Sequence, residues 1–172
     1  MSAPLLLTER LELSLPVLAD REGLYRLVAN VHTSRHFGSV PTPSDFFARF
    51  QRNAGSWHLH GYGCFVVRLR GRGEVIGNCG IFHSDRGLGP DFDNNPEGGW
   101  IVAHDHVGQG LGREAMEAAF AWFDREHGPR RVVCMIAPAN EPSLRLARHL
   151  GFTPMRDTAF EEAPIRLLER LP

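Results

Sequence analysis

Lysine is missing from this chain of 172 residues, whose 19 basic side chains are all arginine. A Walker-type phosphate loop depends on a lysine that reaches the nucleotide phosphates, so that mode of binding is excluded. Cysteine is scarce. Cys64, Cys79 and Cys134 are odd in number, lack paired spacing and sit in apolar runs, which argues against a disulfide scaffold and for a reducing compartment. Neither sign of charge is in excess: the net charge is −1, and no global electrostatic footprint for nucleic acid exists. No apolar run approaches the ~20 residues of a membrane-spanning helix. The opening MSAPLLLTERLEL has neither a basic start nor a long apolar stretch before small residues, which argues against a secretory signal. Repeats, low-complexity tracts and interdomain linkers are lacking as well. The expectation is one cytoplasmic domain over residues 1–172, with no membrane or nucleic-acid partner.

What is there alternates between strand and helix. Residues 5–15 read as a first strand. Asp20 reads as a helix N-cap, followed by Leu24, Leu27, Val28 and Val31 at helical spacing. A second helix starts near Ser44, with Phe46, Phe47 and Phe50 on its apolar side. Cys64–Leu69 is a dense β-former run, a turn follows at Arg70-Gly71-Arg72-Gly73, and residues 74–82 return as its partner. Arg68, Arg70 and Arg72 then decorate a solvated hairpin. Residues 83–96 form a long polar loop around Phe92, of a length that points to function. Glu97–Val102 is a strand, 104–112 a glycine-rich loop and 113–127 the clearest helix. One face of that helix carries Ala115, Met116, Ala119, Phe120, Trp122 and Phe123, and Gly128-Pro129 stops it. Residues 131–136 are a buried strand, 140–149 a short helix, and 152–155 and 163–168 the last strands. A strand, loop, helix and strand over 97–136 imply a parallel crossover inside a mixed sheet.

The run Val107-Gly108-Gln109-Gly110-Leu111-Gly112-Arg113 joins the strand end to the helix start. Its glycines let backbone N–H groups approach a ligand. The first helical N–H groups have no intrahelical partner, and the helix dipole adds positive potential. Together they make an anion site suited to a pyrophosphate, with Arg113 at the rim. A dinucleotide fingerprint would need glycine where Arg113 stands.

Downstream come Asn140-Glu141-Pro142-Ser143 and Leu150-Gly151-Phe152. With the loop, helix and strand, they resemble the acetyl-CoA-binding half of GNAT acetyltransferases. Leu7-Thr8-Glu9-Arg10-Leu11-Glu12-Leu13, Val75-Ile76-Gly77-Asn78-Cys79-Gly80 and Glu97-Gly98-Gly99-Trp100-Ile101-Val102 are similar, in order, to strands of the ribosomal-protein alanine N-acetyltransferase (Rim-like) branch. The resemblance implies an α/β (α+β) fold. Its sheet would be mixed and mostly antiparallel, with flanking helices and a central parallel pair, Glu97–Val102 and 131–136, that splays apart. It implies acetyl-CoA as cosubstrate. The pantetheine would pair near Ile101 and Val102. The pyrophosphate would lie on the loop formed by Val107, Gly108, Gly110, Leu111, Gly112 and Arg113. Asn140 and Ser143 would stand beside the cofactor. Val107 replaces the Gln or Arg with which many members open the loop. Ala147 stands where other members carry a tyrosine acid, which leaves Ser143 as the substitute.

The chemistry implied is direct transfer of an acetyl group to a primary amine, on a protein N-terminus or a small molecule. A backbone N–H near Ile101 would meet the developing oxyanion. Glu97 would accept the amine proton, with His83 as an alternative base. Trp57, His58 and His60 would line the acceptor side, although Trp57 fits the core equally well. The cysteines read as core thiols rather than nucleophiles. His104-Asp105-His106 lacks a third spaced ligand, so no metal is expected. The alternative function is a non-catalytic acyl-CoA-binding module on the same scaffold, or a partner-binding role for the 83–96 loop. The family's varied assembly leaves a homodimer open.

Overall fold

The computed structural model describes residues 3–36 and 39–172. Its strands are β1 (Leu6–Leu7), β2 (Leu11–Ser14), β3 (Cys64–Leu69), β4 (Val75–Phe82), β5 (Glu97–Val102), β6 (Val132–Ile136), β7 (Thr153–Phe160) and β8 (Ala163–Arg170). They form one sheet in the order β1-β2-β3-β4-β5-β6-β8-β7. Neighbouring strands are antiparallel except β5 and β6. Those two run parallel and meet at one register pair, Glu97 with Val133, beside a Val133 N–H to Pro96 carbonyl bond of 2.9 Å. Past that point they diverge and open a wedge in the centre of the sheet. This is the mixed, mostly antiparallel architecture with a splayed central pair that the sequence led us to expect.

Helices cover both faces. They are α1 (Arg21–Ala29), α2 (Val31–Ser34), α3 (Pro43–His60), α4 (Pro90–Asp93), α5 (Leu111–His127) and α6 (Glu141–His149). On one face α5 buries Ala115, Met116, Ala119, Phe120 and Phe123 against Leu11, Leu13, Phe65, Ile81 and Val132. On the other, Leu24, Leu27 and Val28 of α1 and Phe46 and Phe50 of α3 pack on Val66 and Ile101. Local signals place the helix ends. The Thr42 hydroxyl accepts the Asp45 N–H at 3.2 Å ahead of Pro43, and Gly61 ends α3 at φ 76°.

Several expectations change. The reading of 5–15 as one strand fails, because the chain turns between Thr8 and Leu11 (N–H to carbonyl 3.0 Å) and β1 pairs back on β2. Val31 does not extend α1: it opens α2 and is 63% exposed. Phe47 is not on the apolar side of α3; it is 39% exposed and lies under the Arg21 guanidinium. The long helix begins at Leu111 rather than Arg113. Asp20 precedes α1 without a cap bond from its side chain. Its carboxylate instead accepts the Val17 N–H at 3.0 Å and pairs with Arg68. Arg68 is therefore no solvated hairpin residue. It is 5% exposed and also donates to Ser14 Oγ (3.1 Å) and the Gly73 carbonyl (3.2 Å). The last hairpin is longer than read, and its turn holds Glu161 and Glu162 at φ 50° and 66°.

Candidate active site

A cleft of about 410 Å³ opens at the wedge, between the end of β5, the N-terminus of α5 and the start of α6. Its walls include Ile101, Val102, Val107, Gly108, Gly110, Leu111, Gly112, Arg113, Asn140 and Ser143. All the cofactor residues named from the sequence thus stand around one opening. Gly108 and Gly110 take φ of 84° and 78°, values that an L side chain would strain. The first helical bond of α5 runs from Glu114 N–H to the Gly110 carbonyl at 3.0 Å. The N–H groups of Leu111, Gly112 and Arg113 therefore face outward from a helix N-terminus. A Cβ on Gly112 would lie 3.2 Å from Val102 Cγ2, so glycine lets the helix start sit close on β5.

The loop is braced from the first hairpin. Glu114 accepts hydrogen bonds from the Thr8 hydroxyl (2.5 Å), the Arg10 N–H (2.9 Å) and Arg10 Nε (2.7 Å). Arg10 also donates to the Gln109 carbonyl at 2.9 Å. Burial acts to raise the Glu114 pKa, but the bonds from Thr8 and Arg10 and the arginine charge outweigh it, and the net direction is down. This is the structural content of the Thr8-Glu9-Arg10-Leu11 motif: it holds the glycine loop in shape.

The register of β5 decides which backbone groups meet the wedge. Ala103 N–H bonds the Ile76 carbonyl at 2.8 Å, and β4 and β5 pair without a slip from Gly77–Val102 to Phe82–Glu97. Alternation then directs the peptide groups of Ile101 to β4 and those of Trp100 and Val102 to the wedge. The free edge is therefore Trp100 and Val102, rather than Ile101 itself. Trp100 Nε1 donates to Ser143 Oγ at 3.1 Å, and Asn140 Oδ1 accepts the Ser143 N–H at 3.3 Å. The Ser143 hydroxyl is held as an acceptor with its own proton left to donate. Sequence reading missed Trp100 in this role, although the residue lay inside the motif that carried the resemblance.

The cleft also gathers residues that no local pattern announced. Arg35 from the chain after α2, Arg145 of α6, and His104 and His106 line it. His106 Nδ1 is buried without a hydrogen-bond partner among the described residues. Arg113 is tied to Glu117 at 2.9 Å, and His149 shares that carboxylate at 2.8 Å. Outward N–H groups, convergent arginines and an orphaned imidazole nitrogen fit a polyanionic, elongated ligand such as a CoA ester.

Glu97 is not on the cleft wall. It is 3% exposed and held by Arg86 through Nε (2.7 Å) and Nη2 (2.9 Å), with a further bond from the Ser84 hydroxyl. It anchors the 83–96 segment to β5. His83 stacks on His60 at 4.4 Å, and Trp57 is core, its ring against Phe65 and Trp122. The cysteines are buried free thiols; burial pushes Cys64 and Cys79 up to about 12 and raises Cys134 as well. Among the described residues, no cluster of three or more His, Cys, Asp or Glu is arranged to hold a metal. No helix among them is long and apolar enough to cross a membrane.

Residues 10–153 match the family model described as an acetyltransferase (GNAT) domain. The chain belongs to the GNAT acetyltransferase family. It is similar to the solved structure of a putative GNAT-family acetyltransferase from Bordetella pertussis, 38% identical, with 96% of this chain and 98% of that one covered and a TM-score of 0.87. Among curated proteins it is similar to the uncharacterized N-acetyltransferase p20 of Bacillus licheniformis, 26% identical over 95% of this chain and 91% of that one. A match to the Bacillus subtilis protein YkkB, 26% identical, takes in 64% of this chain and spans 62% of that protein's length. Below 25% identity the fold alone is shared. One such structure is the ribosomal-protein acetyltransferase RimL in complex with CoA (16%, TM-score 0.75, 98% and 97% covered). Another is the aminoglycoside acetyltransferase AAC(6')-Ib in complex with CoA (18%, TM-score 0.71, 94% of each covered). Neighbours of such different acceptors do not single out the Rim-like branch.

Proposed function

We propose that the protein is an N-acetyltransferase that moves the acetyl group of acetyl-CoA to a primary amine in a ternary complex. The observation that carries this reading is the single cleft that unites the α5 N-terminus, the free edge of β5 and a hydrogen-bonded Ser143. CoA bound in RimL and AAC(6')-Ib supports it by analogy of fold. The acceptor class, a small-molecule amine or a protein N-terminus, belongs to the proposal.

Acetyl-CoA supplies an activated acyl thioester and a thiol leaving group. Transfer forms one N–C bond and breaks one C–S bond; the amine gives up a proton and the sulfur takes one. The outward N–H groups of Leu111, Gly112 and Arg113 bind the diphosphate. Arg35 and Arg145 add positive charge, and Asn140 lies on the cofactor wall. The Trp100 or Val102 N–H meets the charge that builds on the carbonyl oxygen. Ser143, oriented by Trp100, donates to the departing sulfur. Glu97, already bonded three times, has about one acceptor site left for a water that carries the amine proton, and its pair with Arg86 positions the loop beside the acceptor. The cysteines, buried and protonated, support transfer without an acyl-thiol step, and their reduced state fits a cytoplasmic enzyme.

The test is CoA release from acetyl-CoA with a panel of amines, followed with a thiol reagent. Turnover with one amine class supports acetyl transfer. Tight cofactor binding with no turnover for any amine favours the non-catalytic binding module.

A further inference from the structure

A second cavity, of about 490 Å³, lies on the sheet face opposite α5 and α6. It is bounded by Val28 of α1, by Ser39 and Pro41, by Asp45, Arg49 and Arg52 of α3, and by Glu161 in the β7–β8 turn. We propose that this cavity receives the acceptor, and that Arg49 and Arg52 select an amine that also carries an oxyanion, a carboxylate or a phosphate. The proposal rests on the acetyl-transfer reading above.

Four arginine side chains have no hydrogen bond, ion pair or ring contact among the described residues: Arg72, Arg145, Arg49 and Arg52. Arg72 sits in the exposed turn after β3 and Arg145 in the cofactor cleft. The other two stand one helical turn apart and face this cavity together. Asp45 on the same wall forms no ion pair with either among the described residues; its carboxylate is turned to the Thr42 hydroxyl, from which it accepts a hydrogen bond of 2.6 Å. Arg49 and Arg52 are both exposed to solvent, and desolvation by the protein atoms beside Arg49 lowers its pKa. Exposed and without a partner side chain among the described residues, the two guanidiniums are free to pair with an incoming oxyanion.

The same residue ties the cavity to the reaction centre. Arg49 lies near enough to Cys64, Arg86 and Glu97 to act on them electrostatically. Cys64 is in register with Gly80, and Gly80 with Gly99 on β5, next to Trp100. Two strand spacings, about 10 Å, separate Cys64 from Gly99. Glu161 brings a carboxylate from the opposite wall. Both signs of charge are therefore present, the complement of a compact zwitterion, whereas a polycation would meet two guanidiniums.

Calorimetry on the CoA-saturated protein tests this, with δ-aminovalerate, aminobutylphosphonate and the neutral δ-aminovaleramide as probes. The anionic probes should bind at least ~10-fold more tightly than the amide, and Arg49→Gln or Arg52→Gln should weaken them about 10–100-fold. The ratio of the two anions tells carboxylate from phosphate. Acetyl-CoA affinity within about twofold of wild type, with an unchanged melting curve, shows that a variant is folded. Amide binding as tight as the anions, anion affinity unchanged in the double variant, or no binding of either anion at millimolar concentration would overturn the proposal. The same titrations on cofactor-free protein keep this outcome separate from a failure of CoA itself to bind, which would end the acetyl-transfer reading.

Discussion

Replacing Glu114 by alanine tests whether the first hairpin holds the glycine loop. The carboxylate accepts three hydrogen bonds, at 2.5, 2.9 and 2.7 Å, from Thr8 and Arg10. Bonds to a charged group are worth about 1.5–3 kcal/mol each when sheltered. Both Arg10 bonds are exposed, the side chain to 45%, so each falls toward the ~0.2–1 kcal/mol of an open pair. The sum is about 2–3 kcal/mol, or roughly 5–10 °C in Tm for a chain of this length. Arg10 would also lose the anchor that fixes its bond to the Gln109 carbonyl. Reordering the loop on binding should then cost about 1 kcal/mol, a roughly fivefold rise in the acetyl-CoA Kd. Glu114 is held below its ordinary pKa in the fold, so its contribution is present above the unfolded carboxylate pKa and disappears as pH falls through the folded value. The Tm gap between wild type and Glu114→Ala, read by calorimetry, should close on acidification below about pH 4. An unchanged Tm and Kd at neutral pH would refute the bracing role. A gap that widens with acid would refute the electrostatic account.

Other outcomes follow from the same contacts. Asp20→Ala leaves the buried Arg68 charge unpaired and should cost about 3–5 kcal/mol in urea unfolding, with Arg68→Met restoring part of it in the double variant. Ser143→Ala should lower kcat about 10–100-fold while the acetyl-CoA Kd stays within a few-fold, measured by initial rates and calorimetry. Glu97→Gln separates two roles: a base would remove the acidic limb of the kcat profile, whereas a loop anchor raises acceptor KM and leaves that limb in place. With Cys64 and Cys79 near 12, about one thiol in 10⁴ is ionised at pH 8, so both should resist iodoacetamide in the native protein and react after unfolding.

Where pattern and burial agree, the sequence was legible to the residue. Cys64–Leu69 and Glu97–Val102 stand where their apolar runs put them, and the glycine loop sits at the start of α5. Charged residues misled. Arg68, next to a glycine-arginine turn, looks solvated, and its partner Asp20 lies 48 residues away where only the folded chain brings them together. The turn inside residues 5–15 carries no Gly, Pro or Asn; it depends on Thr8, whose hydroxyl accepts the Leu11 N–H at 2.9 Å. The β7–β8 turn likewise uses two glutamates in a conformation usually given to Gly or Asn, which hid the length of that hairpin. The loop, Asn140 and Ser143 announced themselves as motifs. Arg35 and Arg145 did not, because they reach the cleft from separate parts of the chain and leave no local spacing to read, and Arg49 and Arg52, one turn apart on α3, carry only the spacing of an ordinary solvated helix face.

The most direct measurement is calorimetric titration of acetyl-CoA into wild type and into Gly110→Glu. Gly110 opens α5 at φ 78°, so the variant strains the loop backbone and brings a negative charge to the helix N-terminus, with its Cβ 3.5 Å from the Arg10 guanidinium that braces the loop. Saturable binding by wild type and its loss in a variant that remains folded is the predicted result. No binding by wild type at millimolar cofactor, or equal binding by both proteins, would contradict the account of this cleft.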